Sequence, residues 1–199
     1  MPQAPKLRAS VLSVMTLITW SISPSGGALE QPSSDFIPVT DAMLQEPAPD
    51  DWLMWRRTLD SWGFSPLEQI DRSNVGELQL VWSRGLTAGS QQGTPLVYDG
   101  VLYMPNPNDV IQAIDAITGD LRWEHRRDVP DDIAEYVGGL EDTNRNLAIY
   151  GNLIIDTSAD DYVFALNATT GRVVGETQIL DYKTVPARQS SGPIIANGK

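Results

Sequence analysis

The chain has 199 residues, with 14 Lys and Arg against 26 Asp and Glu, a formal charge of −12. That balance speaks against nucleic acid, whose phosphates need clustered cations, and against electrostatic docking on anionic lipid. No cysteine is present, which excludes disulfide scaffolds, zinc–thiolate sites, iron–sulfur clusters and thiol nucleophiles, and the single histidine, His125, excludes a multi-histidine metal site.

Lys6 and Arg8 precede an apolar run over residues 11–22, and the small residues Gly26-Gly27-Ala28 follow. This order reads as a cleaved secretory signal over residues 1–28, too short in its apolar part to cross a bilayer. The expected location is therefore periplasmic. Residues 29–50 are rich in Pro, Ser and Asp and read as an N-terminal arm or linker. Residues 51–82 are richer in aromatics, and Trp52, Trp55 and Trp62 read as packing residues.

A repeat then begins. Its first copy holds Gly93-Thr94-Pro95, an apolar hairpin over residues 96–103 turning at Asp99-Gly100, and a strand pair over residues 110–123 turning at Thr118-Gly119 and ending at Trp123. Its second copy covers residues 146–171, with Gly151 lying 51 residues after Gly100. An Asp-Gly pair accepts the positive φ of a tight hairpin turn. Four short strands in each period of about 50 residues describe a β-propeller blade. The predicted fold class is all-β, a partial β-propeller over residues 51–199. A third copy opens at Gly192-Pro193 and reaches Lys199 in mid-hairpin. The chain is thus expected to be an N-terminal portion holding about two to two and a half blades. His125 reads as a solvated strand end, and Asp160-Asp161 as turn residues.

Residues 113–123, Ala-Ile-Asp-Ala-Ile-Thr-Gly-Asp-Leu-Arg-Trp, resemble the tryptophan-docking motif of the quinoprotein dehydrogenases. The segment Asp51-Trp52-Leu53-Met54-Trp55-Arg56-Arg57-Thr58 and the pair Asn144-Arg145 resemble the methanol and ethanol dehydrogenase branch of that family. The resemblance implies an eight-bladed propeller that carries pyrroloquinoline quinone and calcium and oxidises alcohols in the periplasm. It also implies an external electron acceptor, such as a cytochrome c or a membrane quinone, with membrane association as one setting for that transfer.

By the same resemblance, Gln92 occupies the place of a family glutamate beside the quinone. Arg145 matches an arginine near its reactive carbonyls, and Thr157 a threonine that bonds its carboxylates. The plainer readings are a polar loop residue, a surface arginine in an ion pair, and an ordinary strand-end threonine. Gly139-Leu140 stand where many members have paired cysteines, and Gly175 stands where a second docking Trp would sit. The calcium ligands and the catalytic carboxylate base belong to later blades, so no metal ligand or base is matched in this chain and it is expected to be inactive alone. The alternative function is an exported, non-enzymatic propeller that binds proteins, like the outer-membrane assembly propellers.

Overall fold

The computed structural model describes residues 36–138, 143–185, 187 and 191–199, so the expected signal and Gly139-Leu140 lie outside the described residues. The named strands form two four-stranded antiparallel sheets, each a simple meander. The first is β1 (Leu96–Tyr98), β2 (Val101–Asn106), β3 (Val110–Asp115) and β4 (Leu121–Arg126). The second is β5 (Ala148–Tyr150), β6 (Leu153–Thr157), β7 (Tyr162–Asn167) and β8 (Val173–Gln178). These are the strands that the two copies of the repeat predict. Asp99 and Gly100 have φ of 50° and 70°, the pair of left-handed residues that a tight hairpin needs. Asn197 and Gly198 repeat that turn, with φ of 51° and 68°. Residues 191–199 nevertheless form no strand, because a strand is defined by its pairing and no partner strand flanks them among the described residues.

The turn after each third strand is built alike. Asp115 Oδ1 accepts from the N–H groups of Ile117 and Thr118, both at 3.0 Å, and Asn167 Oδ1 accepts from those of Thr169 and Thr170, both at 3.0 Å. These Asx turns lead into Gly119 and Gly171, at φ of 77° and 69°. An indole ring lies flat on each glycine. A Cβ added to Gly119 would stand 2.6 Å from Trp82, and one added to Gly171 would stand 2.6 Å from Trp123. The Trp82 Nε1–H donates to Ala116 O at 3.2 Å, and the Trp123 Nε1–H to Ala168 O at 2.9 Å. Each turn is therefore a socket with a bare glycine for the ring and a carbonyl for its N–H. Trp123 of the first sheet fills the socket of the second. On β8 the place opposite Ala165 holds Gly175, where β4 has Trp123 opposite Ala113, so this position carries no ring to pass on.

Strand β4 shows why the sheets stack. Its side chains alternate, with Arg122, Glu124 and Arg126 exposed while Trp123 is buried and His125 partly so. The His125 ring lies 5.7 Å from that of Phe164 on β7, so it is packed in the seam and is not the solvated strand end expected of it. Burial, and then Arg127, lower its pKa. Around these groups, Leu96, Tyr98, Tyr103 and Ile111 of the first sheet join Leu147, Ile149, Ile154, Phe164 and Leu166 in one core cluster.

Val39 and Leu44 belong to the same core, so from Phe36 onward the segment read as an arm or linker is part of the fold. Val39 and Gly151 exchange two backbone hydrogen bonds of 2.8 Å, and Trp52 and Val97 exchange bonds of 2.8 and 2.9 Å. Between these anchors lies α1 (Asp41–Gln45), capped by Thr40. A second short helix, α2 (Ile133–Val137), packs on Ala159 and Tyr182. Among the described residues no helix is long and apolar enough to cross a membrane.

The socket can be tested with two glycines of nearly equal φ. Gly100 has no atom within 4 Å of an added Cβ, whereas at Gly171 that Cβ meets the Trp123 ring. Gly100→Ala should cost only the left-handed backbone penalty, about 1–2 kcal/mol. Gly171→Ala should cost a further 1–3 kcal/mol or so, because the ring must leave its socket. Urea unfolding of both variants measures the gap, and equal losses would contradict the docking role of Trp123.

Candidate functional site

Three consecutive residues, Asn144 to Asn146, are tied to three different segments. Asn144 Nδ2 donates to Asp156 Oδ2 on β6 at 2.6 Å. Arg145 O accepts from Thr94 N at 2.7 Å, and Asn146 Oδ1 accepts from Gly192 N at 3.0 Å. The approach at Gly192 is so close that an added Cβ would stand 1.7 Å from Asn146 O, so only glycine can sit there with this backbone. Upstream, an added Cβ on Gly93 would stand 2.5 Å from Pro105 O, which presses the segment 91–94 against β2. Gln91 turns its amide onto Pro105 O at 2.8 Å. The next side chain along this segment, Gln92, instead lines a cleft.

The cleft has a volume of about 280 Å³ and is lined by Gln92 and Thr94 on one side and Arg145 and Asn146 on another. Ser191, Gly192, Ile194 and the Trp55 indole complete the wall. Its size is near the lower end of small-molecule pockets, which run from about 300 to 1,000 Å³. A guanidinium, two amides, two hydroxyls and an aromatic face suit a flat ligand that carries acidic groups. A smaller apolar cavity of about 80 Å³ shares Trp55 and Ile194 with this cleft.

Two of the three residues singled out in the sequence, Gln92 and Arg145, are thus brought to one cavity. The third, Thr157, does not line it. It ends β6, and its N–H donates to the Asp156 carboxyl at 2.8 Å. Trp55, read as a packing residue, is instead 45% exposed at the cleft, and Trp62 is 75% exposed. Asn146 enters the sequence reading only as the start of the second repeat, and Ser191 not at all; neither is a site candidate there.

Beside Asn144 runs a chain of buried acids. Asp109, Asp156 and Asp160 are 3%, 1% and 6% exposed. Asp109 Oδ2 accepts from Ala159 N at 3.0 Å, joining the β2–β3 turn to the β6–β7 turn. Arg127 grips Asp160 through Nε and Nη2 at 3.0 and 2.9 Å and reaches Glu176 through Nη1 at 2.6 Å. Asp160 and Asp161 are turn residues as expected, but buried ones. Burial pushes the Asp109 carboxyl up to about 6, against the opposing Ala159 N–H. Burial, and then the charge of Asp109, hold Asp156 well above the usual carboxylate range. Among the described residues no group of three or more acid or histidine side chains is arranged to hold a metal ion.

Residues 52–184 match the family described as PQQ, glucose/ethanol/alcohol dehydrogenase, beta-propeller domain. The chain belongs to this family of PQQ dehydrogenase propellers, and its two sheets are two blades. Among curated relatives, it is similar to the dehydrogenase subunit of a quinone-type alcohol dehydrogenase from Gluconacetobacter polyoxogenes. The two are 36% identical over 157 residues, which is 76% of this chain and 21% of the relative. It is also 37% identical to the quinoprotein alcohol dehydrogenase PedH from Pseudomonas putida, over 68% of this chain and 23% of that one. Among solved structures it resembles a quinohemoprotein alcohol dehydrogenase from Pseudomonas putida, with a TM-score of 0.63 and 32% identity over 72% of this chain and 22% of that one. The chain therefore spans about a fifth of the length of these relatives.

The buried acids predict a pH dependence. Asp109 rises on folding from 3.8 to about 6, so its contribution to stability is whole below the unfolded value and is lost as pH rises through about 6. His125, whose pKa is lowered, works in the opposite sense over part of that range. Comparison with Asp109→Asn isolates the acid: the stability at pH 5 relative to pH 7.5 should fall by about 1 kcal/mol in the variant. Identical pH profiles in urea unfolding would contradict the burial argument.

Proposed function

We propose that this chain supplies one wall of the quinone site of an exported alcohol dehydrogenase dependent on pyrroloquinoline quinone. The observation that carries the reading is the convergence of Gln92 and Arg145, from the segments that lead into β1 and β5, on one cleft. Family membership supports the quinone, and the donor set of the cleft fits a flat, polycarboxylated quinone: a cation for its oxygens, amides and hydroxyls for hydrogen bonds, and the Trp55 face for its rings.

When bound, the quinone supplies the two-electron chemistry that turns an alcohol into a carbonyl compound. Within this chain, Arg145 would hold the quinone's oxygens and would supply the positive charge that favours its reduced form. A fixed cation aimed at developing charge acts without reorganisation, which is where electrostatic catalysis is strongest. Gln92 orients the ring system by hydrogen bonds and, unlike a glutamate, brings no opposing charge. Thr157 does not line the cleft, so its assignment to the cofactor's carboxylates rests on the family resemblance alone. Trp55, Ile194 and Pro193 limit the water that reaches the pocket from the apolar side.

The rest of the enzyme belongs to the proposal as well. Calcium would polarise a quinone carbonyl from ligands outside the motifs matched here, and the carboxylate base would remove the hydroxyl proton. The electrons would leave to a cytochrome c or a membrane quinone, and the leader would place the protein in the periplasm. With neither base nor calcium ligands matched, the 199-residue chain should not reduce dye with methanol, ethanol or a longer alcohol.

The test is a titration of the full chain with pyrroloquinoline quinone, read by quenching of tryptophan fluorescence. Saturable binding should weaken about tenfold or more in Arg145→Ala, the loss expected of one charge-assisted contact. Binding that is absent, or that ignores Arg145→Ala and Gln92→Ala alike, would contradict the reading.

A further inference from the structure

Beside the Trp55 wall of the cleft lies the smaller apolar cavity, of about 80 Å³. Its inner side is made of core residues: Leu44 from α1, Leu53, Leu147 and Ile149 are all buried. Its outer side is made of Trp55, Leu59 and Ile194, which are all exposed. Large apolar side chains grouped at the surface around an apolar hollow mark a place that receives something apolar. Ser61 brings the only hydroxyl among the described residues of the wall. Water, which needs about two to four polar partners in a buried site, is poorly served there.

The outer side is carried by a strained stretch of backbone. Arg56, Arg57 and Ser61 have φ of 61°, 72° and 57°, the left-handed region that is unfavourable for any residue with a Cβ. Such residues persist only where their surroundings over-determine them, as at ligand clamps. The fixing bonds are present here. Arg57 is buried, and its Nη2 donates to Pro47 O at 3.2 Å and to Ala48 O at 3.1 Å. Arg56 Nε donates to Ser61 O at 2.8 Å, and Gly63 N donates to Arg56 O at 3.0 Å. The Arg56 guanidinium also lies 5.4 Å from the centre of the Trp55 ring. Trp55, Leu59 and Ser61 thus stand on a pinned loop.

We propose that the cavity is a binding site for a short unbranched alkyl group, entered from the Gln92–Arg145 cleft between Trp55 and Ile194. Continuity gives the entrance, because both of those side chains line the cleft as well as the cavity. Volume sets the length. At roughly 30 Å³ for each water-sized group, a cavity of about 80 Å³ holds about two or three carbon groups and no fused ring system. Chemistry sets the class. A hydroxyl carried deep into this wall would lose its hydrogen bonds to water, so a polyol is rejected where an alkyl chain is accepted. Such a chain has two sources, the carbon end of a short alcohol or a small apolar molecule. An alcohol would leave its hydroxyl behind in the cleft.

This inference goes beyond the quinone reading and does not rest on it, so the full chain is tested without quinone. Methyl NMR follows Leu53, Ile149 and Ile195 in the cavity wall, with Leu166 as a core methyl outside it. 1-Propanol and xenon should each shift the wall methyls saturably and leave Leu166 in place, the alcohol in the millimolar range. Glycerol, of the same carbon length, should shift none of them. Ala148→Leu, which fills the cavity, should abolish both responses. Leu59→Ala, at the exposed side of the wall, should weaken 1-propanol about fivefold and tests the site even if Ala148→Leu fails to fold. The Gln92 side-chain amide, which lines the cleft and not the cavity, separates the sources. Movement with 1-propanol alone assigns the chain to an alcohol, and any other pattern assigns it to a small apolar molecule. Wall methyls that ignore both ligands, that move no more than Leu166, that answer glycerol as they answer 1-propanol, or that are indifferent to Leu59→Ala would overturn the proposal. Failure of the quinone titration would leave these signals untouched, and their failure would leave that titration untouched.

Discussion

Everything in this structure depends on the seam where β4 of one blade meets the inner face of the next. Three alternate residues do the joining. Trp123 seats its ring on Gly171 and its N–H on Ala168 O, His125 packs on Phe164, and Arg127 closes the far end on Asp160 and Glu176. The Trp123 contact is the most exacting of the three. It demands a residue without Cβ in a left-handed turn and a carbonyl aimed at the ring N–H, and the Asx turn at Asn167 supplies both, with Ala168 O also accepting from the Tyr103 hydroxyl at 3.3 Å. Trp82 on Gly119 repeats the arrangement one step earlier, so the blades are held by a device that can be copied along the chain.

The seam also explains the site. With the two sheets locked, Thr94 at the entrance of β1 reaches Arg145 O, and a parallel bridge forms between Thr94 and Asn146. That bridge is what brings Gln92 and Arg145 to a common cavity although each lies in an irregular segment. The apolar part of the seam carries most of the stability, since burial of groups such as Tyr103, Phe164 and Ile154 is favourable at roughly 25 cal/mol per Å². The polar end works against this. Asp109 and Asp156 are kept there at a cost that falls as one of them takes a proton.

Much of the fold was legible in the sequence because its signals are local. Asp99-Gly100 marks a hairpin through the φ it tolerates, and Thr118-Gly119 before Trp123 marks a socket and its neighbouring ring. Trp82 escaped notice as a docking residue because the residues before it, Leu80 and Val81, pair with no strand among the described residues and show no alternation of burial. Composition reads residues 36–50 only as an arm or linker: their Pro and Asp hide the core residues Val39 and Leu44, which the pairing with Gly151 reveals. The cleft was half legible. Gln92 and Arg145 could be placed by resemblance, but Trp55, Asn146 and Ser191 come from segments joined only by tertiary contacts. Asp156 looks like the ordinary polar member of a strand, and its burial depends on which face the register turns inward.

The most direct test of the account is a crystal structure of the full chain grown with pyrroloquinoline quinone. The account predicts the ring system in the cleft of Gln92 and Arg145, against the Trp55 face, with the Trp123 socket unchanged. A quinone lodged instead in another hollow, such as the one beside Tyr103 and Arg122, or a Gln92–Arg145 cleft left empty at saturating quinone, would contradict it.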